Sequence, residues 1–103
     1  MSEVFVVDDH DKHRFEGWVD GKLAGFAEYQ QTEELIVFTH TEVDDAYEGQ
    51  GVGSAIAAHA LAAVRDAGTH KVLPLCPFVS GWIARHREFA PLVYGAPPST
   101  AKD

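Results

Sequence analysis

Cysteine is nearly absent from this chain. Cys76 stands alone among 103 residues, so no internal disulfide can form, and a reducing, cytoplasmic setting is the expectation. Long apolar runs are missing as well: nothing approaches the ~20 residues of a membrane-spanning helix. Met1-Ser2-Glu3 does not lead from a basic segment into an apolar one, so no secretory leader and no membrane partner are expected. Basic residues are scarce too, with eight Lys and Arg against sixteen Asp and Glu and a formal charge of −8. Without a Lys/Arg cluster the electrostatic footprint of a nucleic-acid binder is lacking, whereas a cationic partner is readily accommodated. His10 and His13, beside Asp8, Asp9 and Asp11, match no zinc spacing and read as a solvated turn, so no metal site is expected.

What is present fits one soluble domain with a single core, at 46% hydrophobic and 23% charged residues. Val4 to Val7 reads as a first strand that ends in the polar turn Asp8 to Lys12. Arg14 to Val19 and Lys22 to Gln30 flank Asp20-Gly21, a strong hairpin signal, and Gln31-Thr32-Glu33 turns the chain into a fourth strand, Glu34 to Val43. The first forty-odd residues are thus a four-stranded antiparallel meander. Strict alternation on the fourth strand places Ile36, Phe38, His40 and Glu42 on one face and Leu35, Val37, Thr39, Thr41 and Val43 on the other.

Behind that strand lies Glu48-Gly49-Gln50-Gly51-Val52-Gly53-Ser54, where glycines alternate between a strand end and an alanine-rich helix, Ser54 to Ala67. Unpaired first-turn amides and the helix dipole favour a phosphate there, and residues without a Cβ let it approach. A merely flexible connection is the simpler reading of glycines alone. The helix carries Ile56, Ala57, Ala60, Leu61 and Val64 on one stripe, and Gly68 stops it. Lys71 to Leu75 follows as a buried strand parallel to the fourth. Pro77 then opens a second helix to about Arg87, with Phe78, Val79, Trp82, Ile83 and His86 as its apolar stripe and Cys76 at its N-terminal boundary. Residues 1–94 form the expected domain. Residues 95–103, poor in apolar anchors, are expected to lack fixed structure.

This α+β order, with Glu48-Gly49-Gln50-Gly51-Val52-Gly53 at the strand-to-helix junction, resembles the GNAT superfamily of N-acetyltransferases, whose acyl-CoA signature is Gln/Arg-x-x-Gly-x-Gly/Ala. The likeness runs through His40-Thr41-Glu42-Val43 and Cys76-Pro77-Phe78 and is greatest with the minimal single-domain branch. Glu48 departs from the signature, and the pair of helices that usually follows the first strand is lacking, which leaves the acceptor undefined. A Walker loop is excluded because no lysine follows the glycines, and a dinucleotide fingerprint because Gly49-x-Gly51 runs into Ser54 in mid-chain.

The resemblance implies a GNAT-like fold that binds acetyl-CoA (coenzyme A) between strands four and five and passes an acetyl group to a primary amine, on a small molecule or a protein lysine. It implies that Glu48, Gly49, Gln50, Gly51, Val52, Gly53 and Ser54 cradle the pyrophosphate. Thr41 and Val43 would pair with pantetheine, and Cys76 and Phe78 would line its channel. His40, backed by Glu42, is the candidate proton route. Its alternative is a histidine bonded to backbone or solvent. Cys76 is a candidate nucleophile at a helix N-terminus, a channel-lining residue, or a small buried apolar group. Two other classes stay open: a non-catalytic acyl-CoA-binding module, and an interaction protein using the Phe78/Trp82 face.

Overall fold

The computed structural model describes residues 3–96, so most of the expected tail, 97–103, lies outside the described residues. The described residues form a five-stranded sheet in the order β1-β2-β3-β4-β5, with β1 (Val4–Asp9), β2 (Arg14–Val19), β3 (Lys22–Gln31), β4 (Leu35–Val43) and β5 (Lys71–Pro74), and two α-helices, α1 (Val52–Ala67) and α2 (Pro77–Arg85). The meander is antiparallel and β5 joins β4 in parallel. The tight turn expected at Asp20-Gly21 has both residues at positive φ, 51° and 79°, the twist-matched geometry that two-residue hairpins prefer. Thr32 shapes the next turn, its hydroxyl accepting from the amides of Glu34 and Leu35.

Boundaries move where tertiary pairing outweighs local signals. β1 runs two residues past Val7, because Asp8 and Asp9 pair with Phe15 and Arg14. α1 begins at Val52, inside the glycine run, and α2 stops at Arg85 before a 3-10 segment, Arg87–Leu92. Val93 then bridges Val72 in parallel and the Tyr94 amide donates to the Val72 carbonyl, which pins the chain beyond Leu92 along β5.

Both helices cover one face of the sheet. α1 buries Ile56, Ala57, Ala60, Leu61 and Val64, the expected stripe, against Phe15, Ala27, Tyr29 and Phe38. α2 adds Val79, Trp82 and Ile83. Two members of its expected stripe differ: Phe78 is 38% exposed, and His86 lies past the helix end, stacked on Trp82 with centroids 3.7 Å apart.

The expected facing of β4 is overturned. Tyr29 pairs with Phe38 but Glu28 pairs with His40, so Thr39 is an extra residue, a β-bulge. Alternation restarts behind it. Thr41, not His40, continues the helix-covered face of Ile36 and Phe38, while His40 and Glu42 turn to the other face. No helix covers that face among the described residues. There Glu16, 5% exposed, accepts from Arg14 Nε at 2.8 Å and Trp18 Nε1 at 3.1 Å, so its buried charge is paired.

Candidate active site

β4 and β5 part company at the middle of β4. Their ladder covers only Leu35–Phe38 against Lys71–Pro74, and the Cys76 amide makes the last link, 2.9 Å to the Phe38 carbonyl. Pro74 brings no amide, and the Thr39 bulge bends β4 away. From Thr39 to Val43 the strand pairs with β3 alone. Its other edge faces a cleft with free backbone groups, a template for an extended, amide-bearing ligand.

At the end of that edge the chain makes a 3-10 turn, Asp45–Tyr47, capped by Asp44, whose Oδ1 accepts from the Ala46 amide at 2.9 Å. Gly49 and Gly51 follow at φ of 82° and 79°, a region open to glycine and costly for branched residues. Gly51 is the N-cap of α1 and offers no side-chain bond, and the first helical bond is from the Ala55 amide to the Gly51 carbonyl. The amides of Val52, Gly53 and Ser54 are therefore unclaimed at the positive end of a 16-residue helix. They face a cavity of about 390 Å³.

Gly53 has a second reason to lack a side chain. A Cβ there would stand 2.8 Å from Phe78 Cζ, so the phenyl ring lies directly on the helix's first turn. Trp82 Nε1 donates to Ser54 Oγ at 2.9 Å and ties α2 to the same turn. One wall of the cavity is the glycine run and the other is α2.

The candidate catalytic residues fall into two groups. Cys76, 3% exposed, donates from Sγ to Thr41 Oγ1 at 3.2 Å on the helix-covered side. His40 Nε2 lies 3.1 Å from Glu42 Oε1 on the open face, both side chains more than half exposed. The strand β4 stands between them. Val43, Glu48, Gly49, Gly51, Val52, Gly53, Ser54 and Phe78 all line the cavity, whereas Gln50 turns back, its side chain 3.4 Å from the Ala46 carbonyl.

Four cavity residues escaped the sequence reading: Tyr47, Trp82, Arg85 and His86. The signal was there for three. Steps of four and seven from Phe78 reach Trp82 and Arg85 on one helical stripe, with His86 at its margin. A larger cavity, about 430 Å³, lies at the other end of α1 between Arg65, Gly68, Lys71 and Glu88. It mixes both charges and lies away from the open β4 edge and the uncapped helix start, so size alone does not mark the site.

The model of a family described as GCN5-related N-acetyl-transferase matches residues 14–92. The chain belongs to that family. The fold is also that of a crystal structure of ribosomal-protein-alanine N-acetyltransferase from Brucella melitensis biovar Abortus 2308, with a TM-score of 0.60 over 99% of this chain and 97% of that one, at 14% identity. No curated protein is detectably similar. Membership places an acetyltransferase fold around the cleft, with β4 and β5 parallel and α1 between them in sequence. No helix among the described residues is long and apolar enough to cross a membrane.

Proposed function

We propose that this acetyltransferase uses acetyl-CoA to acetylate a primary amine. The observation that carries the reading is the continuity of the uncapped α1 start with the unpaired edge of β4: an anion site and an extended amide-pairing edge meet at one cleft. A pyrophosphate suits the amides of Val52, Gly53 and Ser54, and a pantetheine chain with two amides suits the backbone of Thr41 to Val43. Bound acetyl-CoA supplies an activated acetyl thioester.

The chain's own residues provide position and proton transfer. The cleft floor beside Thr41 and Cys76 is apolar, formed by Phe38, Ile56, Phe78 and Val79, and excludes water from the acyl group. On the open face the Glu42 carboxylate accepts from His40 Nε2, which leaves Nδ1 with a lone pair to take the proton of an incoming ammonium. Cys76 bonds to the Thr41 hydroxyl on the other side of β4, out of hydrogen-bond reach of that pair. Direct attack by the amine, with Cys76 as a channel wall, therefore fits better than an acetyl-cysteine route, which needs a base at the thiol.

The test is turnover. Acetyl-CoA is incubated with a panel of amines that includes lysine peptides, protein N-termini and polyamines, and free thiol is followed against the hydrolysis blank. Amine-dependent thiol release with a matching acetylated product is expected. Binding without any such release would leave only a non-catalytic acyl-CoA module.

A further inference from the structure

Arg85 ends α2 on the wall of the glycine-loop cavity and has no ion-pair partner among the described residues. The four ion pairs among the described residues use His10 with Asp8, Arg14 with Glu16, His40 with Glu42 and Arg65 with Asp66. Glu48 lines the same cavity and is not paired with it. Among the described residues lining this cavity, Arg85 is the one Lys or Arg. Its Nη1 lies 3.6 Å from where a Cβ on Gly81 would stand, so the guanidinium folds back over the bare backbone of α2.

We propose that Arg85 binds the 3′-phosphate of coenzyme A and makes the site select coenzyme A over its 3′-dephospho form. The inference rests on the cofactor reading above and adds the residue that reads the nucleotide end. Coenzyme A brings two separate anions, a pyrophosphate and a phosphate monoester. The α1 start offers three amides and about half a unit of positive charge, enough for one of them. The second must enter a cavity walled by Glu48 in a chain of net charge −8, and a dianion there requires a full cation. Arginine's planar fork binds a phosphate through two parallel bonds. Position separates the two roles. Phe78 touches Gly53 at the first turn of α1, and the Arg85 guanidinium, folded back beside Gly81, stands about three residues further along α2, roughly 5 Å at 1.5 Å per residue. Arg85 thus addresses a group displaced from the pyrophosphate. The acid at position 48, where the family signature has Gln or Arg, removes a cation on one wall, and Arg85 supplies one from the other.

Calorimetric titration of coenzyme A and 3′-dephospho-coenzyme A into the wild type, Arg85→Ala and Arg85→Lys tests this, with melting temperatures recorded for each protein. The wild type is expected to favour coenzyme A by roughly tenfold or more, the size of a charge-assisted hydrogen bond. Arg85→Ala should bind the two ligands alike while its dephospho-coenzyme A affinity stays at the wild-type value, and Arg85→Lys should keep part of the preference. Equal wild-type affinities, a preference that survives in Arg85→Ala, or an equal weakening of both ligands in that variant overturns the assignment. Coenzyme A binding without discrimination overturns Arg85's role alone. Failure of the wild type to bind either ligand overturns the cofactor reading with it.

Discussion

At Cys76 the sequence shows a thiol at a helix N-terminus, and the structure shows it closed off, 3% exposed and donating to Thr41. Removal of the sulfur should cost packing more than chemistry: Cys76→Ala is expected to keep turnover within about tenfold of wild type and to lose ~1 to 2 kcal/mol of stability. No acetyl adduct on the wild-type thiol should be seen by mass spectrometry. Loss of transfer in both Cys76→Ala and Cys76→Ser, with such an adduct, would restore the covalent route. A second residue gives the fold a pH dependence. Tyr29, 3% exposed, donates to Asp8 Oδ1 at 2.6 Å, and burial first, then the Asp8 carboxylate, raise its phenol well above its ordinary value of 10.0. A raised folded-state value means this contribution is complete below pH ~10 and is lost as pH climbs through the alkaline range. Melting temperatures from pH 8 to 11 should fall more steeply in the wild type than in Tyr29→Phe, and parallel curves would contradict the assignment. At the acid end Asp9 behaves oppositely, its carboxyl held below the usual range chiefly by the Lys12 amide.

Among the elements, β4 decides what the sequence could reveal. Hairpin chemistry at Asp20-Gly21, the alanine-rich stripe of α1 and the proline start of α2 are local signals, and each was legible. The bulge at Thr39 is not local. It follows from how β3 and β4 pair, and nothing in Phe38-Thr39-His40 announces it. For that reason strict alternation put His40 on the face of Phe38, and the separation of His40–Glu42 from Cys76–Thr41 could not be read. Arg85 was hidden differently, since its meaning comes from a cavity that two helices make together. The bulge also carries a prediction. Deletion of Thr39 leaves Thr41 on the helix side and His40 outward, so the protein should fold with its stability within roughly 1 to 2 kcal/mol of wild type. Without the bend β4 stays beside β5, and coenzyme A affinity is expected to fall at least about tenfold. Unchanged affinity in the deletion variant would show that the bulge does not open the cleft.

Over the whole molecule, one sheet face is covered and the other is open, and the two faces divide the work. The covered face holds α1, the glycine run and α2, where the proposed anionic cofactor would meet amides and Arg85. The open face carries Glu28, His40 and Glu42 in neighbouring register positions, with Phe26 between Arg14 and His40. On the proposed reading, the net charge of −8 favours a cationic amine acceptor approaching that face. Such steering is screened beyond about 8 Å at physiological salt. Acetylation of a cationic acceptor should therefore slow as ionic strength rises, and a salt-independent preference for an anionic acceptor would refute the reading.

The central claim is that the cofactor lies along the β4 edge and over the start of α1, and a backbone amide NMR titration with acetyl-CoA tests it most directly. The account predicts saturable shift changes concentrated at Thr41 to Val43, Gly49 to Ser54, Phe78 and Arg85, with little change near Gly68 and Lys71 beyond the far end of the 16-residue α1, which is about 24 Å long. Shifts centred on the Arg65–Lys71–Glu88 cavity, or none at saturating ligand, would contradict it.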